Sequence, residues 1–164
     1  MKRFRFFAVF LPIVLCFCFA VACAPTLPPI DDEVQSSESE NNEEISKMYI
    51  TINENKLEVT LEENAATAAL VKLLKQGDIT YSASDYGDFE KVGNLGHTLP
   101  RNDTKITTEP GDVILYQGNQ IVLFYGINSW SYTRIGKIRG YSASELRDLL
   151  GAGKGTAEVT ISLT

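Results

Sequence analysis

The stretch VILYQGNQIVLFY, residues 113–125, consists of two apolar runs separated by four polar or turn-forming residues. Short runs rich in Val, Ile, Leu and aromatic residues are typical of β-strands, and Gln117-Gly118-Asn119-Gln120 predicts the turn that joins them. Neither run alternates with polar residues, so we expect both faces of this hairpin to be buried. The stretch therefore predicts a β-sheet that is covered on both sides.

Segments on either side of this hairpin also have strand character. Pro110-Gly111 suits the two central positions of a type II turn just before the hairpin. Apolar and polar residues alternate in most of the other segments, as in half-buried strands. Residues 85–100 are less regular and are predicted to form a loop. The further predicted strands are residues 48–53, 57–61, 79–84, 130–138 and 156–164.

Two short helices are predicted between these strands. Asn64 occupies an N-cap position before a run with helical spacing, and Gly77 is predicted to end that helix. Ser142 and Glu145 form a capping-box pattern, and Gly151 ends the second helix. About eight short strands and two helices in residues 47–164 favour a closed barrel or a sandwich.

The beginning of the chain is typical of an export signal. Basic residues at positions 2, 3 and 5 precede an apolar stretch, residues 6–19, that is shorter than a membrane span. Ala20-Val21-Ala22 then supplies the small residues that a signal peptidase requires, and Cys23 follows directly. We expect residues 1–22 to be a lipoprotein-type signal peptide and Cys23 to be lipidated. The alternative is an ordinary secretory signal cut at the same bond.

Residues 23–46 have the composition of a disordered linker. Three prolines lie near the start, and seven acidic residues follow without any basic residue. Such a segment cannot bury enough apolar surface to offset the entropy of ordering. We expect a self-repelling tether, the alternative being an acidic cation-binding tail. Because this segment holds seven of the 21 acidic residues, the domain that follows, residues 47–164, is close to neutral.

Composition excludes several classes of function. The formal net charge of −6 argues against a nucleic-acid partner, since a phosphate-binding face needs positive charge. A single histidine and no cysteine beyond Cys23 argue against zinc and iron–sulfur sites and against a thiol nucleophile. The chain also has no phosphate-binding loop and no dinucleotide-binding fingerprint. We therefore expect neither a cofactor nor a metal.

Several segments, in the same order along the chain, resemble the bacterial cyclophilin-like domain family. The resemblance covers about residues 48–164 and implies a mainly β fold, an eight-stranded cyclophilin-like β-barrel capped by two short helices. It does not imply an activity, because a fold alone does not define a function. The segments are Ser84–Val92 with Leu99-Pro100, Pro110–Tyr116, Ile121–Gly126 and Tyr132–Ile138.

Prolyl isomerases of the cyclophilin type use an arginine on a barrel strand soon after the first helix. The comparable stretch here, residues 79–92, contains no arginine, and the Gln-Gly-Gly-Asp type of segment that follows it is also missing. Peptidyl-prolyl cis-trans isomerase activity therefore stays an alternative, in which Arg101 or Arg134 would replace the missing arginine.

The densest aromatic and cationic cluster is Tyr125, Trp130, Tyr132 and Arg134. These residues could form a groove in which rings make the walls and Arg134 binds a carbonyl or carboxylate. In the alternative, the rings fill the barrel and Arg134 lies in solvent.

A second candidate region is the predicted loop that carries Asp85, Tyr86 and Phe89. Its acids, Asp85 with Asp88 and Glu90, could act in acid–base chemistry or bind a cation. The alternative is a surface ion network with Lys91. His97 could act as a base, although an exposed loop histidine is the simpler interpretation.

The sequence thus predicts a lipid-anchored, extracytoplasmic protein of the bacterial cell envelope. Its partners would be the membrane, through Cys23, and a peptide or small ligand held near Tyr125, Trp130, Tyr132 and Arg134, with Asp85, Tyr86 and Phe89 nearby. Besides the isomerase, a structural accessory domain of an envelope assembly is a further alternative.

Overall fold

The computed structural model describes residues 45–164, which lie within one compact unit of the chain, Asn41–Thr164. These residues form nine β-strands and two α-helices. Helix α1 spans Ala65–Leu74 and helix α2 spans Ala143–Leu149. The strands are β1 (Lys47–Ile52), β2 (Asn55–Leu61), β3 (Ile79–Tyr86), β4 (Glu90–Asn94), β5 (Thr104–Thr107), β6 (Asp112–Tyr116), β7 (Gln120–Phe124), β8 (Ser129–Ile138) and β9 (Thr156–Ser162).

Eight of these strands close into an antiparallel barrel. Around the barrel their order is β1-β9-β3-β4-β7-β6-β8-β2, and β2 pairs again with β1. The closing pairing joins Val59 to Ile138 and Leu61 to Gly136. Closure leaves none of the eight strands as an open edge. The predicted eight-stranded barrel with two short helices is therefore confirmed.

The long strand β8 joins the barrel to the additional strand β5. Its first half pairs with β5, and its second half pairs with β2 and β6. The register between β6 and β8 shifts at Val113 and Ile114, which pair with Gly136 and Arg134 and leave Ile135 as an extra residue. A bulge of this kind bends the strand, which lets one long strand serve both parts of the structure.

The hairpin β6–β7 is buried on both faces, as its sequence predicts. Val113, Leu115, Ile121 and Leu123 belong to the main core inside the barrel. Side chains at the alternate positions pack on the outside of the barrel in a second cluster, which we call the outer cluster. Its buried members are Ile114, Val122, Phe124 and Tyr132, and Phe89, Val92, Ile106 and Tyr116 pack against them.

Both helices begin at their predicted caps. The Asn64 Oδ1 accepts a hydrogen bond from the Thr67 N–H at 3.0 Å, and the Asn64 Nδ2 donates to the Arg134 carbonyl at 2.8 Å, which fixes α1 to β8. Ser142 and Glu145 form the complete capping box of α2. The predicted type II turn is also present, since Gly111 has a φ of +90° and the Asp112 N–H donates to the Glu109 carbonyl.

The sequence analysis was wrong about two local elements. The predicted loop from Asp85 onward is a β-hairpin, in which β3 ends at Tyr86 and β4 begins at Glu90. Strand β5 was not predicted, because its four residues carry only one apolar side chain. In both cases pairing with a distant strand outweighs the local signal. The predicted end of α1 agrees with the structure, since α1 ends at Leu74 and the Gly77 N–H donates to the Leu74 carbonyl at 3.3 Å.

The predicted signal peptide, Cys23 and all of the predicted linker before residue 45 lie outside the described residues. Within residues 45–164, no helix is long and apolar enough to cross a membrane.

Candidate functional site

Aromatic rings of the outer cluster and its border form a continuous row across the outside of the barrel. Phe89 stacks on Phe124 with ring centroids 6.2 Å apart, and Tyr86 meets the edge of Phe89 at the same distance. Tyr132 packs edge-on against Phe124 at 5.7 Å and against Tyr116 at 5.9 Å. Pairs with this geometry are favourable beyond the area they bury, so the rings stabilise one another as a continuous aromatic platform.

A groove of about 470 Å³ lies beside this row, and we call it the outer groove. Four rings line it, those of Tyr86, Tyr116, Trp130 and Tyr132. Tyr132 is buried, whereas Tyr86 and Trp130 are 64% and 59% exposed and form accessible walls. The volume lies within the range of small-molecule pockets, and the large exposed rings beside it make the outer groove a candidate binding surface.

Glu90 is the acidic residue of the outer groove. It is only 7% exposed, and its Oε2 has no hydrogen-bond partner among the described residues. Its cross-strand neighbours are Tyr86 on β3 and Phe124 on β7, so hydrocarbon rings flank the carboxyl group. Burial raises the pKa of Glu90 to about 7. Among the described residues, the groove thus holds a buried carboxyl oxygen without a hydrogen-bond partner, on a group whose pKa is raised by burial.

The nearest basic residue in the sequence cannot reach this carboxyl group. Successive strand residues point to opposite faces, so Lys91 points into the barrel when Glu90 points out. Lys91 is 1% exposed, and its Nζ donates to the Asp85 Oδ1 at 2.9 Å and to the Gly155 carbonyl at 2.8 Å. Lys91 therefore belongs to a separate site.

That separate site is a polar network around Asp85. Besides Lys91, the Tyr125 hydroxyl donates to the Asp85 Oδ1 at 2.9 Å, and the Gly155 N–H donates to the Oδ2 at 2.8 Å. Burial alone would raise the pKa of Asp85, but these hydrogen bonds and the charge of Lys91 outweigh it and lower the pKa. Burial and the hydrogen bond to Asp85 raise the pKa of the Tyr125 phenol. The network joins β3 and β4 to the residue that follows β7 and the residue that precedes β9, so we assign it a structural role.

The structure separates the four residues that the sequence grouped as one cluster. Trp130 and Tyr132 lie together in the outer groove. Tyr125 belongs to the core inside the barrel. The Arg134 Nη1 is 3.2 Å from the Oδ2 of the buried Asp112, and the Lys137 Nζ is 2.8 Å from the Oδ1 of the same carboxylate. The four residues therefore do not form one groove together, and they do not all follow the alternative in which the rings fill the barrel and Arg134 lies in solvent.

The second predicted region is divided in the same way. Tyr86 lines the outer groove, Phe89 belongs to its aromatic platform, and Asp85 faces Lys91. The predicted network with Lys91 does form, but it is buried and not at the surface. Asp88 pairs with Arg147 at 2.8 Å. His97 is exposed outside any strand or helix, as predicted.

The arginines considered for an isomerase are both bound to carboxylates. Arg101 pairs with Asp103, and Arg134 pairs with Asp112. Neither arginine is among the residues that line the outer groove.

Sequence reasoning considered Glu90 only as a loop acid and missed the groove's amide side chains, Gln117, Gln120 and Asn128. The sequence does contain an indication that Glu90 and Val92 share one face of a strand, because these two residues alternate with Lys91 and Gly93. That alternation assigns a face to Glu90 only when the segment is known to be a strand. No group of three or more His, Cys, Asp or Glu side chains suited to a metal ion occurs within residues 45–164.

No curated protein matches the chain significantly. Among solved structures, the fold resembles that of the hypothetical protein AF2241 from Archaeoglobus fulgidus, with 20% identity and a TM-score of 0.55, covering 73% of this chain and 95% of that one. It also resembles McbB in complex with tryptophan, with 18% identity and a TM-score of 0.51, covering 70% of this chain and 44% of that one. Residues 50–162 match the family described as cyclophilin-like, and the chain belongs to that cyclophilin-like family.

Proposed function

We propose that this cyclophilin-like protein is a lipid-anchored, extracytoplasmic binding module that holds a small ligand or peptide segment in the outer groove. The observation that carries the proposal is the buried, unpaired carboxyl group of Glu90 beside a groove walled by aromatic rings. Rings provide apolar contact area, and a single polar group can fix the orientation of a ligand.

The position of Glu90 is difficult to explain by stability alone. A buried acceptor without a partner costs on the order of 1–3 kcal/mol, and an apolar residue would pack against Phe124 at no such cost. Proteins tolerate local violations of this kind mainly at functional sites. A ligand that donates to Glu90 would remove the penalty, which gives the complex a source of affinity.

The anchoring part of the proposal rests on the sequence. Small residues followed by Cys23 fit a lipidation signal, and the acidic residues 31–44 fit an extended tether. Multiple acyl chains would hold the chain stably at a membrane. The tether would then keep the outer groove away from the lipid surface.

The complex of McbB with tryptophan suggests where to begin the search for ligands. At 18% identity the likeness concerns the fold, so we use it only to choose the size of the first probes. Compounds with one aromatic ring and one polar group fit the volume and the lining of the outer groove.

The test is an NMR titration of the ¹⁵N-labelled full chain in a nonionic detergent. The probes are single-ring amines, acids and alcohols. Trp130 is the only tryptophan in the chain, so its indole N–H signal reports directly on the outer groove. We expect some of these probes to shift that signal. If none does, or if all of them shift only signals elsewhere in the barrel, the outer groove is not the binding site.

A matched pair of exposed tyrosines provides the control. Tyr86 lines the outer groove, and Tyr141, which is also exposed, does not. Tyr86→Ala should weaken probe binding several-fold, whereas Tyr141→Ala should leave it unchanged. Equal effects of the two substitutions would indicate non-specific binding of the probes.

A further inference from the structure

We propose that the outer groove selects ligands carrying an ammonium cation, with Glu90 as the counter-ion. This inference rests on the proposed function, because it names the chemical class of ligand for the same groove. Three features of the groove support it: its charge, its rings and the way its other polar groups are bonded.

The first feature is charge. Of the side chains within residues 45–164 that line the outer groove, Glu90 alone is acidic, and none is basic. The titratable groups that line the groove with it are the phenols of Tyr86, Tyr116 and Tyr132. The ionised carboxyl group therefore has no counter-charge within the groove. A cationic ligand would supply that charge together with N–H donors, and charge-assisted bonds of this kind are the strong ones.

The second feature is the set of rings around the carboxyl group. The faces of tryptophan and tyrosine attract cations, and tryptophan does so best. Trp130 and Tyr86 are largely exposed, so their faces are available at the mouth of the groove. Tyr132 is buried deeper in the groove. Rings combined with a carboxylate are the chemistry by which proteins recognise organic ammonium groups.

The third feature is that two amide groups of the groove donate to tyrosine hydroxyls and not to Glu90. The Asn128 Nδ2 donates to the Tyr132 hydroxyl at 2.8 Å, and the Gln117 Nε2 donates to the Tyr116 hydroxyl at 3.2 Å. The Glu90 Oε2 nevertheless has no partner among the described residues. A donor supplied by a ligand could therefore bind this oxygen without displacing an existing hydrogen bond of the described residues.

The cation could belong to a free amine or to the side chain of a basic residue in a peptide, and the test separates these sources. The full chain in a nonionic detergent is titrated with 2-phenylethylammonium, its neutral isostere 2-phenylethanol and the anion 3-phenylpropionate. N-acetyl-lysine methylamide represents the peptide source. Fluorescence of Trp130, the single tryptophan, reports binding, and titration of detergent alone provides the blank.

At pH 8 we expect 2-phenylethylammonium to bind about tenfold more tightly than 2-phenylethanol, and the anion to bind most weakly. Glu90→Gln should bring the ammonium and the alcohol to within about twofold of each other. Glu158→Gln, an exposed acid on β9 outside the groove, should leave the preference unchanged. If N-acetyl-lysine methylamide binds and Glu90→Gln weakens that binding in the same way, a peptide side chain can be the source of the cation. If this probe does not bind, the cation must belong to a free amine.

The outcomes that overturn the inference differ from those that overturn the proposed function. If the alcohol binds as tightly as the ammonium, or if Glu90→Gln leaves the preference intact, the cation preference is wrong while the groove remains a binding site. If no probe changes the fluorescence of Trp130, the groove itself is rejected as a site. The Glu90→Gln protein should fold, because the substitution removes a buried charge without changing the size of the side chain.

Discussion

Glu90 and Phe124 are direct cross-strand partners in the β4–β7 pairing, so a carboxyl group is packed beside a hydrocarbon ring on the outside of the barrel. Such a carboxyl group binds its proton more tightly in the folded state than in the unfolded state. Its pKa rises from 4.5 to about 7 on folding. Between these values the folded protein keeps the proton and the unfolded chain loses it, so stability falls as the pH rises.

The first prediction concerns this pH dependence. Glu90→Gln should leave stability nearly unchanged at pH 4 and raise it at pH 8 by about 3 kcal/mol. The measurement is chemical denaturation of both proteins from pH 4 to pH 8. Glu158→Gln is the control and should follow the unsubstituted protein. A Glu90→Gln protein that is no more stable at pH 8 would show that Glu90 has a partner in solution.

The second prediction concerns the network around Asp85. Asp85→Asn removes the counter-charge of Lys91, which is almost fully buried, and should destabilise the protein by about 3–5 kcal/mol. Adding Lys91→Met should recover part of that loss, because the unpaired charge is then gone. Because folding lowers the pKa of Asp85, its stabilising effect is present above the ordinary value of 3.8 and is lost as the pH falls further.

Asp88→Asn is the matched control for the Asp85 network. Asp88 also pairs with a basic residue, Arg147, but the Asp88 side chain is 80% exposed. Exposed pairs contribute about 0–1 kcal/mol, so this substitution should have little effect on thermal or chemical unfolding. If the two substitutions have equal effects, the burial of Lys91 is not what makes the Asp85 network important.

The third prediction separates the residues that the sequence placed in one cluster. Trp130→Ala should weaken binding of single-ring probes at least several-fold, measured by calorimetry, because Trp130 forms a wall of the outer groove. Arg134→Ala and Arg101→Ala should leave it unchanged, because their partners are Asp112 and Asp103 outside the groove. Loss of binding in either arginine variant would move the site towards that arginine.

Local signals explain which parts of the fold could be predicted. The hairpin β6–β7 and the caps at Asn64 and Ser142 depend on neighbouring residues, and these predictions were confirmed. Strand β4 depends on pairing with β3 and β7, and its polar residues Glu90 and Lys91 resemble a loop in the sequence. Tertiary pairing outweighed the local preference there.

The residues of the outer groove were harder to predict, because a side chain reaches the groove only if it lies on the outer face of its strand. Tyr125 and Tyr132 are close in the sequence, but Tyr125 lies in the core and Tyr132 lies in the outer cluster. The Ile135 bulge also changes the alternation along β8, so the face of a given residue cannot be assigned by counting along the strand. A shift of one residue in register exchanges the two faces.

The last prediction concerns the proposed anchor. Cys23→Ser should move the protein from the membrane fraction to the soluble fraction, because a serine cannot take the place of the cysteine that is lipidated. Mass spectrometry of the unsubstituted protein should show acyl chains on Cys23 and an N-terminus at that residue. Cys16→Ser and Cys18→Ser are the controls, since both cysteines lie in the apolar stretch that cleavage would remove. If the Cys23→Ser protein is cut at the same bond and the unsubstituted protein carries no lipid, the ordinary secretory signal is the correct alternative, and the outer groove would work in solution.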